Sequence, residues 1–74
     1  MFTVIELQTT NGITSVLTTV YQDRGQAEQK FHQVLSYASV SEVDIHAVSI
    51  LSADGYVLKN DVYFHNQPIA EQQV

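Results

Sequence analysis

Two dipeptides, Asn11-Gly12 and Asp54-Gly55, constrain the fold of this chain more than any other feature. Both tolerate the positive φ angles that tight hairpin loops require, and each lies between stretches rich in β-branched residues. One helical stretch separates the two. The position of a turn fixes the strand register, and the register fixes which side chains share a face. The two dipeptides therefore predict a hairpin, a helix and a second hairpin.

The predicted elements follow from local patterns. Strands are predicted over residues 2–9 and 13–21 in the first hairpin, and over 43–52 and 56–65 in the second. Between them, Asp23 has the features of a helix N-cap, with Gln26 at the spacing of a capping box. A helical period then relates five apolar residues, which are Ala27, Phe31, Val34, Leu35 and Ala38. We expect the helix to end at 39–41.

The fold class predicted from these elements is α+β. Residues 1–66 are expected to form one ββαββ domain, a four-stranded antiparallel sheet with a single helix packed on one face. Residues 67–74, which contain Pro68, show no periodicity and are predicted to be a flexible tail.

Two-residue loops at both turns would divide the strands into two apolar faces. We expect the helix to cover the face that carries Ile5, Leu7, Val16, Val20, Ile45, Ala47, Leu51, Leu58, Val62 and Phe64. The other face would be too apolar for bare solvent, which predicts an interface between two copies formed by Phe2, Val4, Leu17, Tyr21, Val48, Ile50, Val57 and Tyr63. A loop of three or four residues is the alternative, and it would shift a register and make this second face more polar.

Composition excludes several classes of function. The chain has 74 residues and no cysteine, so disulfides and thiolate chemistry are absent. Its three basic residues against eight acidic ones give a net charge of −5, which disfavours nucleic-acid binding. No apolar run approaches the roughly 20 residues of a membrane span. The start of the chain has no basic region before an apolar core, so we expect no signal peptide and a cytoplasmic location.

Three side chains form the best candidate for a metal site. Asp44, His46 and His65 would share one face of the second hairpin, with Asp44 opposite His65, and this set suits an open Zn²⁺ site. Surface pairs between strands are the alternative, and they are favoured because no HExxH or CxxC motif is present. No nucleophile motif or glycine-rich loop before a helix is found either, so we expect neither cofactor nor catalytic residues.

Part of the chain resembles a known group of sequences. Residues 21–35, YQDRGQAEQKFHQVL, and residues 45–51, IHAVSIL, resemble small uncharacterised proteins of Gram-positive bacteria and of their phages or mobile elements. The resemblance implies a bacterial or phage setting and no mechanism.

Three functions are compatible with these patterns. The first is an interaction protein without enzymatic activity that works as a homodimer or higher homo-oligomer. The second is a phage or mobile-element inhibitor that binds a host protein. The third is a protein that binds a small ligand or metal through Asp44, His46 and His65.

Overall fold

Four antiparallel strands and one helix make up residues 1–65, the part of the chain that the computed structural model describes. The elements are β1 (Phe2–Thr10), β2 (Ile13–Tyr21), α1 (Arg24–Ala38), β3 (Ile45–Ser52) and β4 (Val57–Phe64). The strands form one sheet in the order β2-β1-β3-β4. The predicted α+β class and the ββαββ element order are confirmed. The predicted tail at 67–74 lies outside the described residues.

The first hairpin has the predicted geometry. Asn11 and Gly12 both adopt positive φ, at 54° and 79°. They form a two-residue loop between Thr10 and Ile13, and the register continues without interruption to the pair of Phe2 and Tyr21. Positive φ at both central residues gives the turn the twist of the flanking strands, which explains why the register here follows from the sequence.

The second turn is longer than predicted. Its loop has three residues, 53–55, because the Ser52 N–H donates to the Tyr56 carbonyl over 2.8 Å. The Gly55 N–H donates to the Ser52 carbonyl over 2.9 Å, and Gly55 has a φ of 88°. The expected pair of Ala53 with Tyr56 is therefore wrong.

A β-bulge then corrects the register. Leu51 pairs with Val57 instead of Leu58, and the register shifts between Ile50 and Leu51. Beyond the bulge the pairs are those predicted, including Ala47 with Val62. The extra residue in the bulge compensates for the extra residue in the loop. Two side chains consequently exchange faces: Leu58 packs toward the helix, and Val57 joins Leu51 on the opposite face.

Helix α1 follows its sequence signals closely. The Asp23 side chain accepts a hydrogen bond from the Gln26 N–H over 3.1 Å, as an N-cap should. The helix ends at Ala38, and the Ser39 N–H donates to the Leu35 carbonyl over 3.0 Å. The predicted stripe faces the sheet, with Leu35 partly buried and the other four residues fully buried.

The hydrophobic core lies between this stripe and the two central strands. Val4 of β1 and Val48 and Ile50 of β3 are at most 2% exposed and pack against Ala27, Phe31 and Val34 of the helix. Phe2, Tyr21 and Leu58 border this cluster.

The predicted assignment of the helix to a face is therefore wrong. Five residues expected on the uncovered face lie beneath the helix or at its border, and these are Phe2, Val4, Tyr21, Val48 and Ile50. Leu17 and Tyr63 lie on the same side of the sheet as this core, on the outer strands, and remain 56% and 38% exposed. Of the predicted interface set, only Val57 lies on the uncovered face, through the combined effect of loop and bulge.

Strand order explains which face the helix covers. β2 and β3 both run antiparallel to β1, so they are parallel to each other. The helix is thus a crossover connection between parallel strands, for which the right-handed form is strongly favoured. With a two-residue first hairpin, a right-handed crossover places the helix over the even-numbered side chains of β1 and β3. Apolar content alone does not contain this information.

Two valines on neighbouring strands test the assignment of the faces. Val48→Ala removes two buried methyl groups, and we expect it to lower the free energy of unfolding by about 2 kcal/mol. The matched change Val57→Ala lies at a position that is 61% exposed, and we expect an effect within about 0.5 kcal/mol. Urea denaturation at low protein concentration measures both. Equal losses would contradict the assignment.

Candidate interaction surface

The sheet has one face that no other part of residues 1–65 covers, which we call the open face. The odd-numbered side chains of β1 and β3 define it together with their partners on β2 and β4. Its ten apolar residues are Ile5, Leu7, Val16, Val20, Ile45, Ala47, Leu51, Val57, Val62 and Phe64. The remaining members are Thr3, Thr9, Thr14, Thr18, Ser49 and Asn60.

The open face carries no charged side chain. Every charged residue of the described chain lies on the helix, in a connection, or on the helix side of the sheet. Glu28 of the helix shows the contrast: it pairs with Arg24 at 2.9 Å and with Lys59 of β4 at 3.8 Å. The charged side chains of residues 1–65 are therefore distributed over the rest of the described molecule.

Four of the six polar side chains on the open face bond to one another in two pairs. The Ser49 hydroxyl donates to the Asn60 side-chain oxygen over 2.5 Å across β3 and β4. The hydroxyls of Thr9 and Thr14 are 2.8 Å apart across β1 and β2. Since these groups already have partners, covering the face would not leave them unsatisfied.

The open face is about as large as the largest apolar patch on a typical soluble monomer. Strands of eight residues rise about 3.3 Å per residue and lie about 4.8 Å apart, which gives a projected area of about 500 Å². The largest apolar patch of a typical soluble monomer is about 300–600 Å² and is often functional. Val16, Val57 and Phe64 are 58–61% exposed. An uncharged surface of this size is the strongest candidate for a functional site.

The predicted metal set does not assemble. Within residues 1–65, no group of three His, Cys, Asp or Glu side chains is placed to hold a metal ion. The backbone register is as expected, since the His65 N–H donates to the Asp44 carbonyl over 2.8 Å. The side chains, however, separate: the Asp44 carboxylate accepts from the Asn11 N–H over 2.9 Å, and the His65 ring bonds to the Ala38 carbonyl over 2.6 Å.

His46, the third member of that set, pairs with Glu6 instead. Its Nε2 lies 2.6 Å from the Glu6 carboxylate, and the two side chains are only 5% and 14% exposed. The Gln8 side-chain amide donates to the same carboxylate over 2.8 Å. Because a carboxylate only accepts hydrogen bonds, Nε2 carries the proton. Nδ1 is buried and has no hydrogen-bond partner in the described chain.

The environment of Glu6 lowers its pKa. Burial alone would raise the pKa of the carboxyl, but hydrogen bonds from His46 and Gln8, together with electrostatic attraction to His46 and Lys30, outweigh it. The pKa therefore lies below the ordinary value of 4.5. Sequence reasoning missed this pair because Glu6 and His46 meet only across β1 and β3, two strands that are 35 residues apart at their nearest ends. The sequence contains one signal for the pair, because Glu6 and His46 are each a polar residue between two apolar neighbours in a predicted strand.

An open cleft of about 540 Å³ lies beside the helix. Tyr21, Lys30 and His32 line it together with Gln26, Gln29 and Gln33. Glutamine amides can hydrogen-bond to many ligands and select none of them, so the lining of this cleft indicates no particular class of ligand.

Comparison with known protein families, with curated proteins and with solved structures gave no match to this chain. In residues 1–65 no helix combines the length and the apolar composition that a membrane span requires.

Acid should reduce the stability that Glu6 contributes through its pair with His46. Below about pH 4.5, Glu6 takes up a proton in the unfolded chain before it does so in the folded protein, so the stability it contributes is lost as the pH falls through its lowered folded pKa. We expect Glu6→Gln to lower the free energy of unfolding by about 1 kcal/mol at neutral pH and to weaken the loss of that free energy as the pH falls below about 4.5.

The control for this measurement is Glu42→Gln, at an exposed residue outside the sheet. Its unfolding free energy should follow the wild-type pH dependence. The pair would not contribute to acid sensitivity if Glu6→Gln and Glu42→Gln gave the same pH profile by urea denaturation.

Proposed function

We propose that this protein is an interaction protein that works as a homodimer, in which the open faces of two copies pack against each other. The observation that carries the proposal is a sheet face with ten apolar residues and no charge. Burying apolar surface drives association roughly in proportion to the area removed from water.

Charge favours a second copy as the occupant. In a two-fold interface the same patch meets itself, so any charged side chain near the axis would approach its own like charge. The open face avoids this repulsion, whereas the other surfaces of residues 1–65 carry all of their charged side chains, with an acidic excess. Two copies can therefore approach through this face at a lower electrostatic cost than through the charged helix side.

The size of the face agrees with a specific but small interface. Two faces of about 500 Å² each would bury about 1,000 Å² in total, which is near the lower limit for specific protein interfaces. Packing of two sheets at a spacing of about 10 Å would also give a helix-sheet-sheet-helix arrangement, with an interior formed by both open faces.

The test places a charge on the open face. In a single chain, the carboxylate introduced by Val57→Asp is exposed to water, because Val57 is 61% exposed. In the dimer, the same carboxylate would be buried without a partner of opposite charge. We expect the fold to persist by circular dichroism and the dimer to weaken by about 100-fold or more. Sedimentation equilibrium over a range of protein concentrations measures this.

Val40→Asp is the matched control, because Val40 is 81% exposed and follows the helix, away from the open face. It should associate like the wild type. A wild-type protein that stays monomeric at high concentration, or a Val57→Asp variant that associates normally, would overturn the proposal and leave the face to a different partner, such as a host protein.

A further inference from the structure

Strand β2 presents an unpaired edge. Within residues 1–65 it pairs only with β1, and every residue from Ile13 to Val20 is exposed. The two-residue loop makes Thr10 and Ile13 a hydrogen-bonded pair, and antiparallel pairs alternate from there. The backbone N–H and C=O groups of residues 14, 16, 18 and 20 consequently point away from β1. Such a row is a template for another strand.

The other edge of the sheet is protected, and β2 is not. β4 carries Lys59 and Asp61 and contains the bulge at Leu58. Charged side chains and bulges are the devices by which natural sheets prevent edge pairing. β2 has nine residues, ITSVLTTVY, with no charge, proline, glycine or bulge. The contrast indicates that the β2 edge is the one available for pairing.

We propose that β2 pairs antiparallel with β2 of a second copy, across a two-fold axis perpendicular to the sheet. This joins two sheets into one of eight strands, with both helices on the same side. The inference rests on the proposed function, because it enlarges the same open face. Charge supports a second copy here too, since a strand without charged residues can face itself in any register without like-charge pairs.

Area supplies a second reason. One open face projects about 500 Å², whereas a standard interface buries about 800 Å² on each partner. Joining two chains at β2 makes their open faces continuous and gives about 1,000 Å² on each side. Edge pairing thus builds a face of the size that stable interfaces need, and two such sheets would pack as a tetramer with D2 symmetry.

The test uses opposite charges on β2. Ser15 and Thr19 are exposed and lie on the helix side of the strand, so changes there leave the open face unaltered. When the two β2 strands pair with Leu17 of each copy beside the two-fold axis, position 15 of one copy lies opposite position 19 of the other, roughly 5 Å away. We expect the wild type to be a tetramer, and Ser15→Lys/Thr19→Lys and Ser15→Glu/Thr19→Glu each to have half that mass. Mixing the two variants should restore the tetramer, as read by native mass spectrometry and sedimentation equilibrium.

Ser36→Lys/Ala53→Lys is the charge-matched control. Both positions are exposed and lie away from β2, so this variant should keep the wild-type mass. Halved masses in the β2 variants without restoration on mixing would overturn the pairing of β2 with itself.

The two interfaces fail in different ways. If only the open faces pair, the wild type is a dimer, the lysine variant of β2 keeps that mass, and Val57→Asp yields monomers; this overturns the edge pairing alone. If only the edges pair, the wild type is a dimer that Val57→Asp leaves intact and the lysine variant divides. That result supports the edge pairing and overturns the proposed function. A monomeric wild type overturns both.

Discussion

The pairing of β1 on both of its edges is the constraint on which the rest of the structure depends. The first strand of the chain occupies a central position, with β2 on one side and β3 on the other. This makes β2 and β3 parallel and turns the helix into a crossover above β1. The handedness of such connections then selects one face for the helix. The core, the open face and, within residues 1–65, the unpaired edge of β2 all follow from this arrangement.

The helix covers the face that contains the charged residues of the sheet. Glu6, Lys59 and Asp61 all lie on that side, where Glu6 meets His46 and Lys59 approaches both Glu28 and the Phe31 ring. The covered face therefore includes a buried polar pair, and the uncovered face is uncharged. Removing Glu6 would leave the buried His46 ring without its hydrogen-bond partner, and removing His46 would leave Glu6 with Gln8 as its remaining donor. Glu6 and His46 therefore also oppose any register in which they do not meet.

The two exposed surfaces are the open face of the sheet and the edge of β2, and both lack the charged side chains that discourage association. The open face has no charge, and β2 has none of the features that protect β4. Both properties arise in part from the sequence of β2, which contains no charged residue. Alternate side chains of this strand lie on the open face, and the strand itself forms the edge. Within residues 1–65 the uncharged surface therefore lies in one region, and association through that region would involve the least repulsion.

By itself the sequence determined the two hairpins and the helix. It also determined, for most strand residues, which side chains share a face of the sheet. Asn11-Gly12 was sufficient for the first register, and Asp23 with the apolar stripe was sufficient for the helix, because both signals are local. The second loop departed from prediction since Asp54-Gly55 also suits a three-residue turn, and only the bulge at Leu58 returned the register to its expected value. The tertiary structure alone decided which set the helix covers and which polar side chains meet. Both depend on the pairing of β1 with β3, two strands that the helix separates in the sequence. A local sequence pattern cannot predict such a long-range contact.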